Sequence, residues 1–210
     1  MSEFVKKLHN LANADVVKRV EEYATQHFVP VMRAESSAVL GQIVRIKQPA
    51  RILEVGTAIG YSGILMLEAS KDAHLTTIEY NESRVQEAKQ NFTGAGVIDR
   101  VTQFTGDVKE ILPFVSGQFD FVFLDGPKGH YGEFVDILLP HLVDGAVVVC
   151  DNVLFRGYLD QPSTCPRRMK TITNNMTEFL VNMTQRPDFD TVVIENGDGM
   201  SVSVYKKVNE

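Results

Sequence analysis

The chain has 210 residues, 44% hydrophobic and 23% charged, with 15 glycines and 8 prolines. This composition fits one folded domain with a sizeable core and excludes collagen-like, coiled-coil and disordered chains. Acidic residues number 27 and basic ones 21, leaving a net charge of −6, which excludes a generally basic nucleic-acid coat but not a local basic patch.

In chain order, residues 1–48 are predicted to form N-terminal helices. Leu8, Leu11, Val16, Val17, Val20, Tyr23 and Ala24 recur at helical spacing. Pro30 interrupts the pattern, and a second segment from Glu35 to Lys47 resumes it before Pro49. From Arg51 short apolar runs alternate with amphipathic stretches. Strands are expected at Arg51–Gly56, His74–Glu79, Val101–Gly106, Phe119–Asp125, Ala146–Asp151, Thr191–Glu195 and Ser201–Lys206. Helices are expected at Tyr61–Ala69, Glu82–Thr93, Val108–Val115, Tyr131–Leu142 and Arg167–Gln185. The strand-then-helix rhythm implies an α/β fold with a parallel sheet, because parallel neighbours need long crossovers. Only Asn196-Gly-Asp-Gly-Met200 separates the last two runs, which predicts a closing hairpin and one antiparallel strand. With no repeat, linker or low-complexity tract, residues 1–210 are read as a single domain, helices over 1–48 and the sheet over 49–210.

No run approaches a membrane span, Met1–Lys7 lacks the apolar core of a secretory signal, and Cys150 and Cys165 make no disulfide framework. A cytoplasmic protein is expected. The five histidines show no metal-ligand spacing, which argues against zinc.

In parallel sheets, ligands gather beyond the carboxyl ends of the strands. The first strand ends in Leu53-Glu-Val-Gly56-Thr-Ala-Ile-Gly60-Tyr-Ser62-Gly63. This is not the G-x-G-x-x-G of a dinucleotide site, which argues against a nicotinamide oxidoreductase. Ile64 removes the last glycine of a serine-hydrolase elbow. Glu54 opposes a pyrophosphate and suits the cationic amino-acid end of S-adenosylmethionine. Glu79, ending the second strand, can accept from a ribose diol, and Asp107-Val108 after the third can meet an adenine. Each feature alone also reads as a tight turn or a solvated strand end; together they suit a nucleoside with a positively charged tail.

The fourth strand runs into Asp125-Gly-Pro-Lys128 and the fifth into Asp151-Asn152. If those strands are neighbours, two carboxylates and an amide converge, a hard-oxygen set that selects Mg²⁺ or a similar cation. Lys128 is three residues from Asp125, within reach of the same mouth, and is a candidate general base. Taken singly, Asp125 also reads as a helix cap and Asp151-Asn152 as a turn. Arg156, Arg167, Arg168 and Lys170 follow the second turn, with Phe155 and Tyr158 as candidate stacking rings. They are either a basic substrate rim or the solvated start of a helix.

The glycine loop, Glu79, Asp125-Gly-Pro-Lys128 and Asp151-Asn152 together resemble the cation-dependent O-methyltransferases, the family of catechol and caffeoyl-coenzyme A O-methyltransferases. The resemblance spans roughly residues 30–207. It implies a seven-stranded sheet of order 3-2-1-4-5-7-6 with the seventh strand antiparallel. It also implies S-adenosylmethionine as cofactor, Mg²⁺ or Mn²⁺, and a homodimer. By motif, Glu54, Gly56, Tyr61 and Ser62 would line the methionine end, Glu79 the ribose, and Asp107 and Val108 the adenine. Asp125 would serve cofactor and metal, Asp151 and Asn152 the metal, and Lys128 would be the base with Tyr131 beside it. Val29-Pro-Val-Met32 and Asp151-Asn-Val-Leu-Phe-Arg-Gly157 resemble the bacterial branch that methylates tRNA 5-hydroxyuridine, in which Met32 would touch the cofactor. That implies tRNA as substrate, with a small catechol as the alternative acceptor. A non-catalytic S-adenosylmethionine-binding protein would not need Asp125, Lys128, Asp151 and Asn152 together.

Overall fold

A computed structural model describes residues 14–207. Leu8 and Leu11 lie outside the described residues. Numbered as they follow in the chain, the strands form one seven-stranded sheet of order 3-2-1-4-5-7-6. The chain divides into two compact units, with the boundary after Ile111.

The first unit carries helices α1 (Ala14–Gln26), α2 (Ala34–Lys47), α3 (Tyr61–Ala69), α4 (Glu82–Gly94) and α5 (Val108–Ile111). Its strands are β1 (Arg51–Val55), β2 (His74–Glu79) and β3 (Val101–Thr105), paired in parallel. In α1 the helical spacing of Val17, Val20 and Ala24 becomes a buried stripe. Pro30 falls in the break before α2, where its fixed φ and missing N–H oppose a continuous helix. Ile52, Leu53 and Val55 are fully buried, as befits a central parallel strand covered on both faces. Helix α3 is buried almost all round, and Gly63 makes that possible. A Cβ at Gly63 would stand 2.7 Å from Leu75 Cδ2 and 2.9 Å from Phe92 Cε1.

The second unit carries β4 (Phe119–Leu124), β5 (Leu142–Asp151), β6 (Phe189–Ile194) and β7 (Met200–Tyr205), with helices α6 (Tyr131–Leu138) and α7 (Lys170–Gln185). Strands β4 and β5 are parallel, while β7 is antiparallel to both β5 and β6. The expected terminal hairpin is present. Phe121, Val122, Phe123 and Leu124 are fully buried, each large side chain contributing about 1.5–3 kcal/mol of burial.

Several boundaries differ from the sequence reading. The stretch Tyr131–Leu142 is not one helix: α6 stops at Leu138, a 3₁₀ turn holds Pro140, and β5 begins at Leu142, four residues earlier than expected. The Val108–Val115 stretch divides into α5 and a 3₁₀ turn over Leu112–Phe114, where Pro113 cannot continue the α-helical ladder. Arg167–Met169 form a 3₁₀ turn after Pro166, and the α-helix proper starts at Lys170.

Candidate active site

In the first unit, the parallel pairing of β1 and β2 sets their carboxyl ends side by side, so the glycine loop and Glu79 share one edge of the sheet. Gly56 (φ 99°) and Gly60 (φ 85°) take the left-handed backbone that this turn requires. Glu79 stitches the loop down. Its Oε2 accepts the Ala58 N–H at 2.9 Å and its Oε1 the Asn81 N–H at 3.0 Å. Glu54 is wholly buried and accepts hydroxyl protons from Ser62 at 2.5 Å and Thr77 at 2.6 Å. Because the Thr77 O–H is donated to Glu54, the Thr57 hydroxyl is the donor to Thr77. This network holds the start of α3 against β1 and β2.

The remaining candidates of this unit fall in different settings. Met32 is buried at 8% exposure and Val108 at 7%. Asp107 is exposed and its Oδ1 accepts the Lys109 N–H at 2.8 Å, a cap on the short α5. Tyr61 is buried, and its hydroxyl donates to Glu21 of α1 at 2.8 Å. Burial in the first place, and then Glu21, hold that phenol above its ordinary range. Tyr61 therefore ties α3 to the N-terminal helices, a long-range bond that the motif alone did not reveal.

In the second unit, parallel β4 and β5 bring Asp125 and Asp151 to the same sheet edge, just beyond the Leu124↔Cys150 pair. Lys128 Nζ donates to Asp125 Oδ1 at 3.1 Å, both side chains being about a quarter exposed (22% and 27%). Burial raises the Asp125 carboxyl above its usual range, partly offset by the Lys128 charge. Asp151 is 1% exposed, and its Oδ1 has no hydrogen-bond partner. Burial pushes its carboxyl up to about 6, and the charge of Asp125 adds to the rise. Asn152 follows with a left-handed φ of 56°.

A buried carboxylate oxygen without a donor is costly, because hydration is lost and nothing replaces it. Asp125 and Asp151 bring two carboxylates to one sheet edge beside Lys128, and Asn152, next in the chain, carries a side-chain amide. Among the described residues no group of three His, Cys, Asp or Glu could hold a metal ion. A divalent cation here would rest on two carboxylates, one amide and oxygens from substrate or water. That donor set is the kind Mg²⁺ accepts. The residues fit the cation.

Three features of this edge escaped the sequence reading. The buried Tyr131 hydroxyl donates to the Asp151 carbonyl at 3.2 Å, and burial holds that phenol well above its ordinary range. Asn175 of α7 donates to the Gly129 carbonyl at 3.0 Å, fastening the turn that carries Lys128. Asp198, in the β6–β7 loop, accepts the Arg156 N–H and lies near enough to Asp151 to raise its carboxyl further. Asp198 sits in the Asn-Gly-Asp-Gly string already read as a hairpin, but its partner is 42 residues away.

Of the rim, Arg156, Arg167, Arg168 and Lys170 are all exposed. Phe155 is not available as a stacking platform: it is buried at 8% exposure and meets Tyr158 edge-on at 5.9 Å. Its backbone is left-handed, with φ 45°. Tyr158 is half-buried. Cys150 is buried beneath the site, and burial pushes its thiol up to about 12, so it is inert as a nucleophile.

A family model for O-methyltransferases matches residues 8–206. The chain belongs to the O-methyltransferase family. It is 32% identical over 175 residues to the catechol O-methyltransferase of Niastella koreensis, covering 78% of this chain and 77% of that one. Catechol O-methyltransferase of Bos taurus shares 26% identity over 202 residues, covering 91% and 70%. Among solved structures, one from Staphylococcus aureus superposes with a TM-score of 0.88 at 28% identity, covering 97% of this chain and 98% of that one. The O-methyltransferase TomG of Streptomyces achromogenes, involved in tomaymycin synthesis and solved in complex with SAM, gives a TM-score of 0.83 at 27% identity, covering 93% and 92%. The strand order with β7 antiparallel is that of the methyltransferase fold expected from the motifs. Among the described residues of this O-methyltransferase, no helix is long and apolar enough to cross a membrane.

Proposed function

We propose that this O-methyltransferase transfers the methyl group of S-adenosylmethionine to a hydroxyl flanked by a second oxygen, with a divalent cation held by Asp125, Asp151 and Asn152. The observation that carries the reading is the buried, unpartnered Oδ1 of Asp151 beside Asp125 and Lys128. The glycine loop from Gly56 to Ser62, with Glu54, Glu79, Met32, Asp107 and Val108, is proposed to hold the cofactor. The bound SAM of TomG supports this. When bound, Mg²⁺ or Mn²⁺ supplies a Lewis acid that makes a chelating hydroxyl easier to deprotonate.

The chain's own groups do the rest. Lys128, held by Asp125 and by the Asn175-anchored turn, takes the acceptor's proton on Nζ as the neutral amine, after its ammonium has released a proton to solvent. Tyr131 fixes the carboxyl end of β5 through the Asp151 carbonyl, so the two carboxylates keep their spacing. The acceptor oxygen then attacks the sulfonium methyl in line, the O–C bond forming as the S–C bond breaks and S-adenosylhomocysteine leaves as a neutral thioether; orientation in near-attack range supplies much of the acceleration.

Two acceptors offer the required pair of oxygens. The exposed Arg156, Arg167, Arg168 and Lys170 favour tRNA carrying 5-hydroxyuridine at the wobble position, which would become 5-methoxyuridine, because they suit RNA phosphates. The kinship with the Niastella koreensis catechol O-methyltransferase favours a catechol. Labelled S-adenosylmethionine and Mg²⁺, offered with each acceptor in parallel, distinguish them. Transfer to the tRNA alone supports the RNA reading, and transfer to the catechol alone overturns it. Residues 1–48 are proposed to support a homodimer, which a sedimentation measurement tests.

A further inference from the structure

Three of the six non-glycine residues with left-handed backbone among the described residues fall in one turn: Asn152 (φ 56°), Phe155 (φ 45°) and Arg156 (φ 61°). L-residues avoid this region because Cβ crowds the following carbonyl oxygen. Such a turn persists only where its surroundings over-determine it. Here the β6–β7 loop supplies the restraint. The Val153 N–H donates to the Gly199 carbonyl and the Leu154 N–H to the Asp198 carbonyl, both at 3.0 Å. The Arg156 N–H donates to Asp198 Oδ1 at 2.5 Å. The first two bonds are backbone to backbone, so Asp198 is the residue whose side chain fastens the turn. Gly199 (φ 78°) allows the approach: a Cβ there would lie 2.3 Å from Leu154 Cγ.

We propose that Asp198 is a positioning residue for methyl transfer: by holding the Arg156 amide it locks the left-handed turn from which the Asn152 amide extends beside Asp151. The inference rests on the cation reading given above. Asp151 itself is paired to β7 through Met200 and does not depend on this clamp. Asn152 begins the turn and does. Without the Asp198 side chain, the turn is free to relax toward right-handed backbone, and Asn152 no longer completes the oxygen set. Acceptor geometry also loosens, because Arg156 moves with the turn.

The test compares metal-free wild type, Asp198→Ala and Asp198→Asn by Mn²⁺ titration calorimetry and by amide exchange over residues 153–156. In Asp198→Ala, Mn²⁺ affinity is expected to fall about 10- to 100-fold, the usual consequence of losing a ligand-orienting partner. Exchange at Leu154 and Arg156 should quicken, and acceptor KM should rise more than kcat falls. Asp198→Asn keeps an acceptor oxygen and should hold exchange and KM close to wild type, with only a small loss of Mn²⁺ affinity from the missing charge near Asp151. S-adenosylmethionine affinity should be equal in the three proteins. Wild-type Mn²⁺ affinity and exchange in Asp198→Ala would overturn the proposal. So would an equal loss in Asp198→Asn, which would make charge and not the hydrogen bond responsible. Asp198→Ser keeps the comparison decisive if the alanine protein fails to fold. Absence of Mn²⁺ binding in the wild type would instead overturn the cation reading, and this inference with it.

Discussion

The Tyr131 hydroxyl donates to the backbone carbonyl of Asp151 at 3.2 Å from a ring that is 1% exposed. The ring packs edge-on against Phe179 of α7 at 5.7 Å, so α6, α7 and the end of β5 meet at one residue. Tyr131→Phe keeps that packing and leaves the carbonyl without its donor. A stability loss of about 1–2 kcal/mol is expected in denaturant unfolding. Because the bond anchors the carboxylate-bearing end of β5, kcat should fall while S-adenosylmethionine affinity holds. Unchanged stability and kcat would remove Tyr131 from the account.

Asp151 gives a pH prediction whose sign is opposite to that of an ordinary paired carboxylate. Its folded carboxyl, at about 6, lies above the ordinary 3.8 of an aspartate in the unfolded chain. Between those values the folded state binds more protons, so metal-free stability falls as pH rises through the window and then levels off. Asp151→Asn should flatten that fall. In EDTA at pH 7.5 it should raise the melting temperature by several degrees, the gain being on the order of 2 kcal/mol. Added Mn²⁺ should stabilise the wild type and not the variant. A lower melting temperature for the EDTA-treated variant contradicts the charge-burial argument.

Lys128→Gln removes the proposed proton acceptor while keeping a polar side chain near Asp125. Methyl transfer should drop about 10²- to 10⁴-fold, the range for a general base. Binding of S-adenosylmethionine, measured by calorimetry, should be unaltered. Residual activity that rises with pH, as hydroxide or solvent replaces the lysine, is the accompanying signature. Wild-type turnover in this variant rules out the role.

Gly63→Ala tests packing in the first unit apart from chemistry. The added methyl would meet Leu75 and Phe92 at under 3 Å, with α3 already buried nearly all round. Overpacking of this kind costs about 1–3 kcal/mol. Reduced stability with faster amide exchange in α3 is expected, whereas a neutral result means the helix shifts freely on β2.

Much of the architecture was legible because its signals are local. The alternation of apolar runs with amphipathic stretches, the glycines after β1 and the short Asn-Gly-Asp-Gly string before β7 all report on neighbours in sequence. The convergence of Asp125 and Asp151 on one sheet edge was legible because each stands at the end of a strand of a neighbouring parallel pair. What stayed hidden depends on tertiary distance. Tyr61 meets Glu21 40 residues away, and Asp198 meets Arg156 across 42. Phe155 looked available for stacking because nothing in the string Leu-Phe-Arg-Gly tells that its backbone is left-handed or that its ring is buried.

The rim is separable from the chemistry. Reversing Arg167 and Arg168 to Glu should weaken tRNA methylation strongly, and flatten its dependence on salt, because each lost phosphate contact reduces counterion release. A catechol, too small to reach an exposed 3₁₀ turn, should be methylated as before. Equal losses on both acceptors would show that the arginines act on the fold or the active site and not on RNA.

The most direct measurement of the central claim is methyl transfer from labelled S-adenosylmethionine by wild type and Asp151→Ala, each with Mg²⁺ and with EDTA. A catechol and a 5-hydroxyuridine-bearing tRNA serve together as acceptors, so the result does not hinge on either one. The account predicts wild-type transfer that EDTA abolishes and Mg²⁺ restores, and no transfer by Asp151→Ala although it still binds S-adenosylmethionine. Transfer that persists in EDTA, or in Asp151→Ala, would contradict it.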